Sequence, residues 1–154
     1  MITVQSNKSE AIPENRARVL LVISDSTGTD VAERVVKFVK SGFDAVVLVQ
    51  YIVDMEPIPP MVSVEEEKRF FSEMREKGRR IVEKVISKLT SEGVDARFVG
   101  MHFGIADEEV LRAEKTLKPD VIIVGCRKSP LKGLSKGLAE KIVAEAKTPV
   151  LIAK

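Results

Sequence analysis

Four short, almost uninterrupted aliphatic runs constrain this chain more than any other feature. They are Val19–Ile23 (VLLVI), Ala45–Val49 continuing to Val53, Val121–Val124 (VIIV) and Val150–Ala153 (VLIA). A strand that is apolar on both sides must be covered on both sides, as happens in a parallel sheet between two layers of helices. The intervening segments supply those helices. Val31, Val35, Val36 and Val39 recur at helical spacing, with Arg34, Lys37 and Lys40 between them, and Ser41-Gly42 ends the pattern.

The next helix is the longest, from Val64 to Thr90. Ser63 stands at its N-cap, with Glu66 and Glu67 in its first turn and Gly93 past its end. Its apolar stripe runs through Phe70, Phe71, Met74, Ile81, Val82, Val85, Ile86 and Leu89, all expected in the core. Asp54 to Ser63 carries three prolines and is read as a loop. Whether it forms a lid is left open. Ala96–Met101 is a further strand, Ala106–Leu117 and Gly133–Lys147 are helices, and Val150–Ala153 is the fifth strand. Repeated strand–helix alternation gives an α/β fold of one domain, a three-layer α/β/α arrangement. Residues 1–16 lack a sustained period and read as an N-terminal tail before a domain spanning 17–154, with Ile2–Val4 as an optional added strand.

The totals narrow the function classes. A chain of 154 residues with 44% hydrophobic and 31% charged residues is an ordinary globular domain. No apolar run approaches the ~20 residues of a membrane span, and no leader-like segment opens the chain, so no membrane association is expected. The single cysteine, Cys126, cannot form an internal disulfide, which suits a cytoplasmic location. A net charge of +2 and the absence of Trp argue against a nucleic-acid partner.

In open α/β sheets ligands bind beyond the carboxyl ends of the strands. Candidate residues therefore follow each strand: Ser24 to Thr29, then Ile52 to Asp54, then Gly125 to Lys128. In the first loop, hydroxyls and helical N–H groups suit an anion, and Asp25 can accept hydrogen bonds from a base or ribose. Alternatively Asp25, Thr27 or Thr29 caps the following helix. After the fourth strand, Gly125 lacks a Cβ and would permit close ligand approach. Arg127, Lys128, Lys132 and Lys136 concentrate positive charge there and would attract a phosphate, unless they form a solvated basic loop. His102 is the only histidine, which excludes a cage of several imidazoles, and it is expected at the surface at the end of its strand. No Walker loop, zinc spacing or Gly-x-Ser-x-Gly turn occurs, and no catalytic residue is assigned.

Several segments, taken in order, resemble the universal stress protein (UspA-type) family. Val22-Ile23-Ser24-Asp25-Ser26-Thr27 is similar to its opening strand and Asp-x-Ser/Thr loop, and Tyr51-Ile52-Val53-Asp54 stands where its second strand ends. Gly104 to Val110 resembles its lead-in to the third helix, and Val121 to Arg127 its Ile-Val-Val-Gly-Ser-Arg segment. Ala139 to Val143, then Thr148 to Ile152, resemble its closing helix and strand. The resemblance implies a five-stranded parallel sheet in the order 3-2-1-4-5, like that of adenine nucleotide alpha hydrolases. It also implies a homodimer through Val150–Ala153. In that strand order His102 and Cys126 lie three strand intervals apart, about 14 Å at ~4.8 Å each, too far for a nucleophile pair.

The family includes ATP-binding members. On their pattern Asp25 falls at the adenine-side carboxylate, Ile52 at an aliphatic contact, and Val124 with Gly125 at the start of the phosphate motif Gly-x-x-Gly-x9-Gly-Ser/Thr. Here Lys128 replaces the second glycine, and the segment from Gly125 to Glu140 is about two residues shorter than usual. Gly137 aligns with either the last glycine or the hydroxyl residue, and no Gly-Ser/Thr pair is present. Lysine supplies charge but obstructs a turn that glycine permits. The resemblance thus implies a non-enzymatic stress-type regulator with a degenerate nucleotide or phosphate site. Two alternatives stand beside it: a competent ATP or AMP binder with slow hydrolysis or phosphotransfer, Mg accompanying ATP, and a ligand-free dimeric interaction module.

Overall fold

The computed structural model describes residues 11–25, 27, 30–40, 44–125 and 133–153, with backbone alone for 133–137. Five strands and four helices alternate: β1 (Ala17–Ile23), α1 (Val31–Lys40), β2 (Ala45–Asp54), α2 (Val64–Ser91), β3 (Asp95–Gly104), α3 (Ala106–Leu117), β4 (Val121–Gly125), α4 (Gly133–Glu145) and β5 (Val150–Ala153). The strands form one parallel sheet in the order β3-β2-β1-β4-β5, as expected.

Side-chain alternation along the central strands divides the core in two. Val19, Leu21 and Ile23 of β1 and Val47, Val49 and Tyr51 of β2 pack with α1 and α2. Leu20 and Val22, with Val46, Leu48 and Ile52, face the opposite way toward Val110 of α3 and Ile142 of α4. Gln50 falls on this second face and is fully buried. The strand order reverses at β1, which lies between β2 and β4. The helix layers change sides at the same place, opening a crevice at the carboxyl ends of those strands.

The ends of α2 obey local chemistry. Ser63 Oγ accepts from the Glu66 backbone N–H at 3.1 Å, and Glu66 reaches back to accept from Val62 N–H at 3.3 Å. Gly93 at the other end adopts φ +81°, a left-handed conformation suited to glycine. The expected core stripe holds only in part. Val82, Val85, Ile86 and Leu89 are buried, but Phe70, Phe71 and Met74 are half-buried. A helix of 28 residues is about 42 Å long, whereas the ten-residue β2 spans about 33 Å, so α2 overruns the sheet. Phe71 finds company there by packing edge-on against Phe103, at a centroid distance of 5.2 Å.

β3 continues to Gly104, three residues beyond the expected end at Met101. Its pairing with β2 slips between Val49 and Gln50, which oppose Phe98 and Gly100, leaving Val99 as an extra residue. Gly100 takes φ +146° at this bulge. Beyond it the ladder resumes, and Gly104 O accepts from Met55 N–H at 2.8 Å, fixing the start of the proline-rich loop.

At the other end of the sheet Arg16 binds Asp95 at 2.8 Å and Ala45 O at 2.8 Å. Burial alone would push the Asp95 carboxyl up. Hydrogen bonds from Arg97 and Arg16 outweigh it and hold the group below its ordinary range. Ile2–Val4, considered above as an added strand, lies outside the described residues. Among the described residues no helix is long and apolar enough to cross a membrane.

Candidate functional site

The crevice at the carboxyl ends of β1, β2 and β4 is lined by Asp25, Ile52, Asp54, Val124 and Gly125. Four of the residues singled out from sequence (Asp25, Ile52, Val124 and Gly125) thus come together. Ala106, the first residue of α3, and Leu138 of α4 close the wall on the side of the second core. The enclosed space is small, about 30 Å³. Gly137 lies in α4, directly before Leu138. Arg127, Lys128 and Lys132 lie outside the described residues, as does the Lys136 side chain.

Asp25 occupies the turn after β1, its side chain half exposed. Lys77 of α2 approaches it, with Nζ 3.6 Å from Oδ2. Beneath this pair lies Tyr51, the only tyrosine, which is 1% exposed. Burial, with the Asp25 charge adding to it, raises the phenol above its ordinary value and keeps it neutral. Gly78 makes room for this ring: a Cβ there would lie 2.8 Å from Tyr51 Cε1 and collide with Met101 Cε. One side of the crevice is therefore the Asp25 carboxylate, paired with Lys77, while Tyr51 packs into the core on the other face of the sheet. The other side of the crevice is aliphatic, from Ile52, Val124, Ala106 and Leu138.

Gly125 lines the crevice, and its missing side chain also has a structural use. The position its missing Cβ would take is occupied from within the protein, 2.7 Å from Thr27 Cγ2 and 3.2 Å from Val31 Cγ2. Thr27 is buried and joins two loops. Its Oγ1 accepts from Ser24 N–H at 2.9 Å and donates to Gly125 O at 3.4 Å. The glycine thus admits Thr27, and Thr27 holds the loop after β1 to the end of β4.

His102 departs from expectation. It is half-buried within β3, and its Nδ1 stands 3.0 Å from the amide nitrogen of buried Gln50. The strand order puts β3 three intervals from β4, and Cys126 lies outside the described residues.

Sequence reading missed Leu138 at the crevice, and Lys77 and Tyr51 around Asp25. Lys77 is one of many exposed helix cations, and nothing local distinguishes it. Tyr51 carried a signal, as the one phenol in a buried strand beside Ile52. Among the described residues no group of three or more His, Cys, Asp or Glu could hold a metal ion. The arrangement offers a hydrogen-bond acceptor beside an aliphatic slot, which suits a flat ring bearing an amino group.

Comparison with known proteins agrees with this architecture. The model of the universal stress protein family matches residues 15–154. A universal stress protein family protein from Arabidopsis thaliana, solved with AMP bound, superposes with a TM-score of 0.66 at 17% identity, covering 90% of this chain and 91% of that one. A family protein from Burkholderia pseudomallei gives 0.67 at 18% identity, covering 92% and 98%. A universal stress protein in complex with cAMP gives 0.60 at 15%, covering 90% and 96%. At these identities the superpositions speak for the fold. No curated protein sequence matches the chain at a significant level.

Proposed function

The chain belongs to the universal stress protein family, and within it we propose a non-enzymatic regulatory protein whose crevice takes an adenine nucleotide, AMP or ATP, weakly. The observation that carries this reading is the convergence of Asp25 with the aliphatic slot of Ile52 and Val124 at the reversal of strand order. The adenine amino group would donate to Asp25 and the ring would lie against Ile52. The phosphates would extend from Gly125 toward Lys128 and the start of α4, with Mg accompanying ATP. That AMP and cAMP are bound in two relatives supports the ligand class. The lysine at 128 and the missing Gly-Ser/Thr pair beside Gly137 support weak binding and the absence of turnover.

Calorimetric titration with AMP and ATP, with and without Mg, tests the reading. Saturable binding that Asp25→Ala weakens by about tenfold supports it, as expected for one charge-assisted hydrogen bond. Sustained ATP hydrolysis would favour the catalytic alternative instead.

The small enclosed volume favours a second reading, a ligand-free interaction module, and unchanged heats on titration would establish it. Either reading accommodates a homodimer through β5. Its Leu151 and Ile152 are 40% and 38% exposed beside a groove of about 330 Å³ against Val35 and Phe38 of α1. Loss of the dimer in Ile152→Asp, read by sedimentation, tests that contact. A cytoplasmic location suits a chain with one cysteine.

A further inference from the structure

Gln50 is the polar exception in β2, and its placement is costly. It is fully buried, and its Oε1 has no hydrogen-bond partner. A buried orphan acceptor in the otherwise aliphatic and aromatic stretch Ala45–Val53 calls for a compensating purpose. The amide nitrogen supplies one. It carries two hydrogens and lies 3.0 Å from His102 Nδ1 and 3.2 Å from Glu109 O. Turning the amide over would set its oxygen against the Glu109 carbonyl, two acceptors face to face. The nitrogen must therefore donate to both, and His102 Nδ1 must accept. The neutral imidazole then carries its proton on Nε2.

The surroundings hold this ring in place. The bulge at Val99 re-aims the strand, and Gly100 leaves the space the imidazole uses: a Cβ there would lie 2.9 Å from His102 Nε2. His102 borders a cavity of about 190 Å³ between β3 and α3, well apart from the Asp25 crevice and sharing no lining residue with it. Arg112 stands at its rim, oriented by Glu109, whose carboxylate oxygens accept from Nη1 at 2.8 and 3.0 Å. Glu109 occupies one nitrogen of the guanidinium. Val99, Ala113 and Leu117 make the rest of the wall apolar apart from Thr116.

We propose that this cavity is a second ligand site, selective for a small organic acid whose carboxylate meets Arg112 and the His102 Nε2–H. A short aliphatic tail would lie on Val99, Ala113 and Leu117. A guanidinium held by its own carboxylate and an imidazole held by a buried amide are pre-set donors, so little ordering is needed on binding. Glu109 limits the net positive charge, which disfavours multiply charged phosphates. A short apolar wall rewards a few carbons. The site is independent of nucleotide binding at Asp25.

The single histidine makes the test direct, because every imidazole signal of the full chain belongs to His102. Long-range proton–nitrogen correlation spectra of the free protein at neutral pH should show an acceptor-type Nδ1 and a proton-bearing Nε2. Titrating butyrate should then shift the Nε2 resonance saturably, while butyramide, equal in shape but uncharged, should not. Arg112→Ala, checked for folding by circular dichroism, should weaken butyrate about tenfold or more. Asp25→Ala should leave the response unchanged. A proton on Nδ1, an equal response to butyramide, or butyrate binding untouched by Arg112→Ala would each overturn the assignment.

Discussion

Thr27 occupies the space that a side chain at position 125 would need: a Cβ on Gly125 would lie 2.7 Å from Thr27 Cγ2. The two residues are 98 apart in the chain, and the threonine hydroxyl joins them by donating to Gly125 O. The glycine at the end of β4 and the threonine after β1 are thus one structural unit.

Gly125→Ala should destabilise the protein by about 1–3 kcal/mol through overpacking. Thr27→Ser removes the offending methyl and keeps the hydroxyl, so Gly125→Ala should cost markedly less in that background. Urea unfolding of the two single variants and the double variant measures the coupling. Equal costs in both backgrounds would show that the methyl is not what excludes a side chain at 125.

Gly78→Ala should also destabilise, against the ordinary trend. In a helix interior the change normally gains about 0.8–1 kcal/mol. Here the new methyl meets Tyr51 Cε1 at 2.8 Å and collides with Met101 Cε. Met101 can swing its terminus away, but the buried ring cannot, and about 1–3 kcal/mol of overpacking should outweigh the helical gain. A melting temperature equal to or above that of the natural sequence would refute this.

Lys77 and Asp25 are both about half exposed, so their ion pair should contribute only about 0.2–1 kcal/mol to the fold. Its larger effect should fall on the ligand, since Lys77 engages the carboxylate proposed for adenine. Lys77→Ala should leave the melting temperature almost unchanged and tighten AMP by about two- to fivefold. Calorimetry and thermal unfolding on the same samples separate the two effects. Weaker AMP binding in the variant would instead mean that Lys77 is itself a phosphate contact.

Asp95 gives the fold an acid-sensitive tie. Its carboxyl is held below the ordinary value of 3.8 once the hydrogen bonds from Arg97 and Arg16 have overcome the cost of burial. A carboxyl with a folded pKa below its unfolded one stabilises the protein at pH above the unfolded value. That contribution disappears as pH falls through the folded value. Asp95→Asn should therefore cost about 1–3 kcal/mol near neutrality, and the gap should close below pH 3.8. Urea midpoints across the acid range give the measurement, and a gap independent of pH would exclude the ionised carboxylate as its source.

What the sequence made legible follows from the range of the forces involved. Aliphatic runs such as Val19–Ile23 and Val121–Val124 declare buried strands because their neighbours in the chain carry the whole signal. Ser63 and Gly93 mark the ends of α2 for the same reason. The carboxyl-end rule brought Asp25, Ile52, Val124 and Gly125 to one crevice once the strand order was known. Contacts made only in three dimensions stayed hidden. Lys77 reaches Asp25 across 52 positions of chain, and the need of His102 for Gln50 shows only where a bulge has moved β3. Phe70 and Phe71 had a core-like spacing, but spacing does not reveal that α2 outlasts the sheet beneath it.

The bulge at Val99 also bears on how large an assembly of this protein can grow. A sheet receptive on both flanks can add copies without end, and the product is a filament. Here the flank formed by β3 is interrupted at Gly100, where the backbone turns out of the regular pleat. β3 pairs regularly on either side of the bulge, over Asp95–Phe98 and Gly100–Gly104, whereas β5 is a single run of four residues. Were two copies to pair through β5, as proposed, each would cover the other's flank under a twofold axis, and growth through that flank would stop at the pair.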